Sequence, residues 1–246
     1  MLLVVLMRLA GIFAVGPVLS HTAVPVRVRY FMAVVMSLAV MGRISVPAAV
    51  PAGWGGLLAG LGGELLIGAA IGWAAGLVFV GVELGAVHIG RQMGVSLGEV
   101  FDPVSPTAPG CVRQFFRLLA VVVFLGVGGH RAMIGGLLET FRAVPLTGFA
   151  RAPAAAETMI SLLSVSFVLA LKVAAPVLIA LLLASAAMGL LQRSLPQCHI
   201  LSIGLPIRAL AALAVLAVSL AALTGLVESG TAILLERMGE TIRPGQ

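Results

Sequence analysis

Residues 90–114 read GRQMGVSLGEVFDPVSPTAPGCVRQ, and this stretch decides how the rest of the chain is divided. Strongly apolar segments flank it on both sides. Pro103, Pro106 and Pro109 crowd against Gly110. Each proline removes a backbone donor and clashes one turn back, so no regular helix is expected through them. Arg91, Glu99, Asp102 and Arg113 add charge. Irregular, charged backbone is tolerated beside a bilayer only where protein buries it or where it lines a watery passage. The loop therefore reads as the working part and the flanking helices as its scaffold.

Composition fixes the solvent of those helices. The chain has 246 residues, 61% hydrophobic and 10% charged, with a mean hydropathy of +1.17. A soluble domain carries about 25% charged residues, so this is an integral membrane protein. The net charge is +6, and every basic residue except Lys172 is an arginine, scattered singly. Without a basic run or an aromatic platform, no nucleic-acid partner is expected. Anionic headgroups of membrane lipid account for the excess charge.

Enzymatic chemistry is not expected either. No glycine-rich phosphate loop with its lysine is present, and His21, His88, His130 and His199 lack the i, i+4 pairing of a zinc helix. No cofactor is therefore anticipated. Gly94-Val95-Ser96-Leu97-Gly98 matches a nucleophile elbow in letters only, because the strand before it and the helix after it are missing. Cys111 and Cys198 lack CxxC spacing. Two free thiols and a disulfide between them both stay open.

About twenty apolar residues cross a bilayer as a helix, and six stretches qualify. They are 2–19, interrupted by Arg8; 30–50, closed by Pro47 and Pro51; 64–89, after a glycine-rich link at 53–63; 115–141; 159–191; and 207–227. The expected fold is an all-α polytopic membrane protein of about six long hydrophobic helices arranged as hairpins. Arg8 lies inside the first apolar run rather than before it, which favours a retained span over a signal peptide. The run 159–191 is too long for one straight crossing and is expected to bend at Pro176. The linker 142–156 holds Pro145, Gly148 and Pro153 and forms the clearest internal boundary. Arginines divide evenly between alternate loops, so charge gives no orientation.

The third stretch is the most regular. Gly68, Gly72 and Gly76 fall four apart, and Gly81 and Gly85 repeat the spacing, giving small faces that admit another backbone. Glu83 lies within it at a cost of about 2.5–3.5 kcal/mol on insertion scales. Structural pairing is the plainer reading and a proton relay the sharper one. Lys172 is expected at a wet or protein-facing position.

Several stretches together resemble one family. GRQMGVSLGEVFDPVS (90–105), GGHRAMIGGLLETFRAVPLTG (128–148), APVLIALLLASAAMGLLQRSLPQ (175–197) and SIGLPIRAL (202–210) are similar, in order, to the flagellar biosynthetic protein FliR. They also resemble its injectisome counterpart, the T subunit of type III secretion. Arg8, Pro17 and the Pro25-Val26-Arg27 turn look similar too, and Gly129-His130 resembles the flagellar branch. Cys198-His199 and Arg208 depart from the family pattern.

The resemblance implies a component of the export gate in the inner membrane, at the flagellar basal body. There it would join P and Q subunits, and other membrane subunits of the apparatus, around a path for unfolded protein substrates. It also implies a P-like part at 1–142, with four spans and a plug loop, and a Q-like helical hairpin with a tail at 143–246. The family's plug, carried onto this chain, is 101–114, with Phe101, Asp102, Pro103, Pro106, Pro109, Gly110, Arg113 and the following Phe115 as its residues. Glu83 and Lys172 would then be buried against neighbouring helices or partner chains. The competing reading is a small-solute or ion transporter of the inner membrane.

Overall fold

The computed structural model describes residues 2–20, 24–42, 53–94, 110–143, 153–194 and 200–242. Those residues are helical apart from short turns. The helices are α1 (Leu2–Val15), α2 (Val26–Met41), α3 (Trp54–Met93), α4 (Cys111–Gly126), α5 (Gly129–Ala143), α6 (Pro153–Ser194) and α7 (Ile200–Ile242).

Proline sets these boundaries more firmly than glycine does. No proline occurs between Pro51 and Pro103, and α3 runs unbroken for 40 residues through the glycines expected to form a link. Gly55 and Gly62 have open space where a side chain would go, so close packing does not explain them. Apolar residues interleaved with the glycines keep the helix going, and glycine's cost of roughly 1 kcal/mol per position is borne by the rest of the segment. α4 begins at Cys111, directly after Gly110, whose carbonyl accepts the Gln114 N–H at 3.1 Å. Cys111–Gln114 is therefore helical, which corrects the expectation of helix-free chain up to 114: the last loop proline, Pro109, lies upstream of the first turn.

Among the described residues, only α3 and the 33-residue stretch Met159–Leu191 of α6 are long and apolar enough to cross a membrane unaided. Counting the bent pairs Cys111–Gly126 with Gly129–Phe141 and Pro206–Ser219 with Ala222–Leu234 raises the number to four. The six-span expectation is thus met only in part among the described residues. α1 has 14 residues, and α2 ends after 16 at Gly42, short of a full crossing. Two prolines lie inside helices. α6 continues through Pro176 without a break, and α7 carries Pro206 inside it.

The bend after α4 has a local cause. Gly128 adopts φ +81°, in the left-handed region, and its carbonyl receives the N–H groups of Arg131 and Ala132 at 2.8 and 3.1 Å, starting α5. A β-carbon on Gly129 would meet the ring of Phe124, which is fully buried. The chain turns by 62° there.

The helices fall into two compact units. The first comprises Met1–Phe79, Phe124–Val165 and Gly230–Gln246. In it α2 packs on α1 through Ala33, Ser37 and Val40, one face of the helix at i, i+4, i+7 spacing. α5 buries Met133, Leu137, Thr140 and Phe141 at the same period. The Phe124 ring meets Phe79 edge-on, centroids 5.2 Å apart. The second unit comprises Val80–Val123 and Ser166–Ser229. Its α6 segment buries Ser166, Leu169, Ala170, Val173, Ala174, Val177 and Leu181, again one continuous helical face.

Candidate functional site

Between apolar helices in lipid, water exclusion contributes little, and association rests on close packing and polar bonds. Both occur in the first unit where α1 meets α3. A β-carbon on Gly68 would land on the Arg8 carbonyl oxygen, one on Gly11 on the Leu65 carbonyl oxygen, and one on Gly72 would come within 2.8 Å of the Gly16 nitrogen. As α1 advances from Arg8 to Gly16, α3 advances from Gly68 to Gly72, so the two run parallel, backbone on backbone.

That approach places a charged cluster at the same level. Arg8 is 0% exposed and Glu64 1%, and the Arg8 Nε donates to Glu64 Oε2 at 2.5 Å. Arg8 Nη1 donates to Thr140 Oγ1 at 3.1 Å, and Thr140 in turn donates to the Leu137 carbonyl at 2.6 Å. The guanidinium also lies 4.3 Å over the Phe141 ring, a cation–π contact. One arginine thereby fastens α1, α3 and α5. The cluster neutralises a buried cation and fixes three helices, which is a structural clasp. The sequence marked Arg8 as an interruption of the first span and a point of family resemblance, and Glu64 as the start of a span, without pairing them. The available signal was two lone opposite charges in the first and third apolar stretches, since each would otherwise cost several kcal/mol.

The remaining expected residues lie as follows. Gly81 and Gly85 of α3, in the second unit, face α6: their β-carbons would come within 2.7 Å of the Ser166 carbonyl and 2.9 Å of the Ala170 carbonyl. Gly76 faces open space. Four of the five glycines thus serve two different neighbours, because the step from Gly76 to Gly81 is five residues and rotates the small face. Glu83 is partly buried and pairs with Arg117 of α4 at 3.5 Å. Lys172 is exposed on α6, four residues before Pro176, and no carboxylate among the described residues lies in ion-pair range of it. Burial of Lys172 against a neighbour is therefore not achieved within this chain. Arg113 and Phe115 are exposed on the first turns of α4, preceded by Gly110. Phe101, Asp102, Pro103, Pro106 and Pro109 lie outside the described residues.

These features define a class: an all-helical membrane protein whose 40-residue α3 is joined to α1 by glycine contacts and a buried ion pair, and to α6 by further glycine contacts. Comparison with known proteins gives the family. Residues 1–232 match the profile of bacterial export proteins, family 1, and the chain belongs to that family. It is 30% identical to the flagellar biosynthetic protein FliR of Escherichia coli K12 over 202 residues, 82% of this chain and 77% of that one. With FliR of Bacillus subtilis 168 the identity is 24% over 242 residues, 96% and 92% of the two chains. The surface presentation of antigens protein SpaR of Shigella sonnei is 25% identical over 211 residues, 85% of this chain and 80% of its own. The resemblance drawn from the motifs is borne out.

Proposed function

We propose that the protein is a non-enzymatic component of the flagellar type III secretion export gate, forming a protein-conducting channel for unfolded substrates together with P and Q subunits. The observation that carries this reading is the family match running through residues 1–232. A physical argument supports assembly with other chains. The apolar stretch of α6 is 33 residues, about 50 Å of helix against a hydrocarbon layer of about 30 Å. Ile160, Leu163 and Phe167 near its start and Leu182, Leu190 and Leu191 near its end are all exposed. Lipid alone does not cover both ends, so protein does.

In this reading the plug is 101–114, with Phe115 behind it, and the chain divides into a P-like part at 1–142 and a Q-like part at 143–246. The setting is the bacterial inner membrane at the flagellar basal body. Energy for transport comes from elsewhere in the apparatus. Deletion of Phe101 to Gly110 tests the plug. A channel plug gives ion leakage with export partly retained, whereas a solute transporter gives lost uptake and no leak. Co-purification with P and Q subunits in mild detergent tests the assembly, and a lone monomer that binds solute would overturn it.

A further inference from the structure

α6 carries two faces within the second unit. One, described above, is buried against its own chain. The other shows Val168, Lys172, Ala175, Ile179, Leu182 and Ala186, all exposed and spaced alternately four and three apart. That is a heptad seam, the pattern by which one helix receives another along its length. It is apolar except at Lys172. A single lysine at such a core position sets register and partner at a cost in stability, because its charge must be met by whatever lies opposite.

Two further features belong to the same place. Pro176 has no N–H, so the carbonyl of Lys172, four residues earlier, loses its intrahelical partner. Lys172 thus presents a cation and a backbone acceptor side by side. Farther along, Ile179 and Leu182 form the wall of a cavity of about 520 Å³ whose other lining is Leu178 of α6 and His88, Arg91 and Gln92 at the end of α3. The seam therefore continues into a groove with polar and cationic groups on its far side.

We infer that this seam is the docking site for a transmembrane helix of another polypeptide, which sets a carboxylate against Lys172 and runs on past Arg91. The inference rests on the export-gate reading and names the element that makes contact. The charge pattern selects the occupant. Lipid tails offer nothing for Lys172, and a second copy of this seam brings no acid, since its one charge is the same lysine.

The test uses the full chain co-expressed with its cognate P and Q subunits, with a photo-crosslinking residue at Ala175. The expected result is a crosslink to a P or Q helix that bears an Asp or Glu within one turn of the crosslinked position. Lys172→Glu is expected to lower both the crosslink and co-purification by about a hundredfold or more, as a carboxylate then faces a carboxylate. Lys172→Arg is expected to stay within about threefold, and reversing the partner's acid to lysine is expected to restore Lys172→Glu. Crosslinks only to lipid or to a second copy of this chain overturn the inference, as does Lys172→Glu binding like the native chain. If the native chain co-purifies with P and Q but the Lys172 series is flat, the docking inference alone fails. If the native chain recovers neither subunit, the export-gate reading fails and takes the inference with it.

Discussion

Replacing Glu64 by leucine removes the acid from the Arg8 clasp while leaving a side chain of similar bulk. Arg8 is 0% exposed, and its side chain donates to Glu64 at 2.5 Å and to Thr140 at 3.1 Å. After the change the cation keeps Thr140 and the Phe141 ring only, neither of which carries a compensating charge. Breaking a buried pair from one side costs about 3–5 kcal/mol, because the survivor stays buried and unpaired. Removing both partners and filling the space with hydrocarbon is often neutral. The expected order is therefore Glu64→Leu worst, Arg8→Leu milder, and the double Arg8→Leu/Glu64→Leu mildest. The asymmetry between the singles follows from chemistry, since a carboxyl can shed its charge by taking up a proton and a guanidinium cannot. The assay is denaturant unfolding in detergent, followed by tryptophan fluorescence, with the coupling taken from the double-mutant cycle. A coupling below about 0.5 kcal/mol, with the two single losses simply adding, would falsify the clasp.

Other outcomes follow from the glycines and turns. Gly68→Ala is expected to destabilise by about 1–3 kcal/mol, because its methyl group would occupy the position of the Arg8 carbonyl oxygen. Gly76→Ala, on the same helix with open space around it, is expected to be neutral or to stabilise by about 0.5–1 kcal/mol; midpoints measured in parallel separate the pair. Gly128→Ala, at φ +81°, is expected to cost about 1–2 kcal/mol and to raise hydrogen exchange at the Arg131 and Ala132 amides. Val18 holds a positive φ of 66°, which a β-branched residue adopts only under strain. Val18→Gly is expected to raise the unfolding midpoint by an amount equivalent to about 1 kcal/mol.

Membrane residence, helical class and family were legible in the sequence, because hydropathy and the ordered motifs are distributed along the whole chain. What sequence misjudged was local. The glycines at 53–63 read as a link, yet α3 begins at Trp54, since an apolar helix without proline tolerates glycine. Gly90 to Gln114 read as one irregular stretch, yet α3 runs on to Met93 and α4 begins at Cys111, past the last proline. Gly68 and Gly72 were legible as a small face, but that their partner is α1 depends on contacts distant in the chain. The clasp was hidden for the same reason: nothing in the spacing of Arg8, Glu64 and Thr140 announces that they meet. Lys172 was legible as an anomaly, and its place on an exposed seam became visible only once the buried face of α6 was known.

The Arg8 clasp also constrains the order in which the chain is made. Glu64 follows Arg8 by 56 residues and Thr140 by 132. At a synthesis rate of about 5–20 residues per second, the arginine waits roughly 3–11 seconds for its counter-charge and more than twice that for the hydroxyl. During that interval the newborn first helix is a poor tenant of the lipid, and it settles only when the third arrives to take its hand.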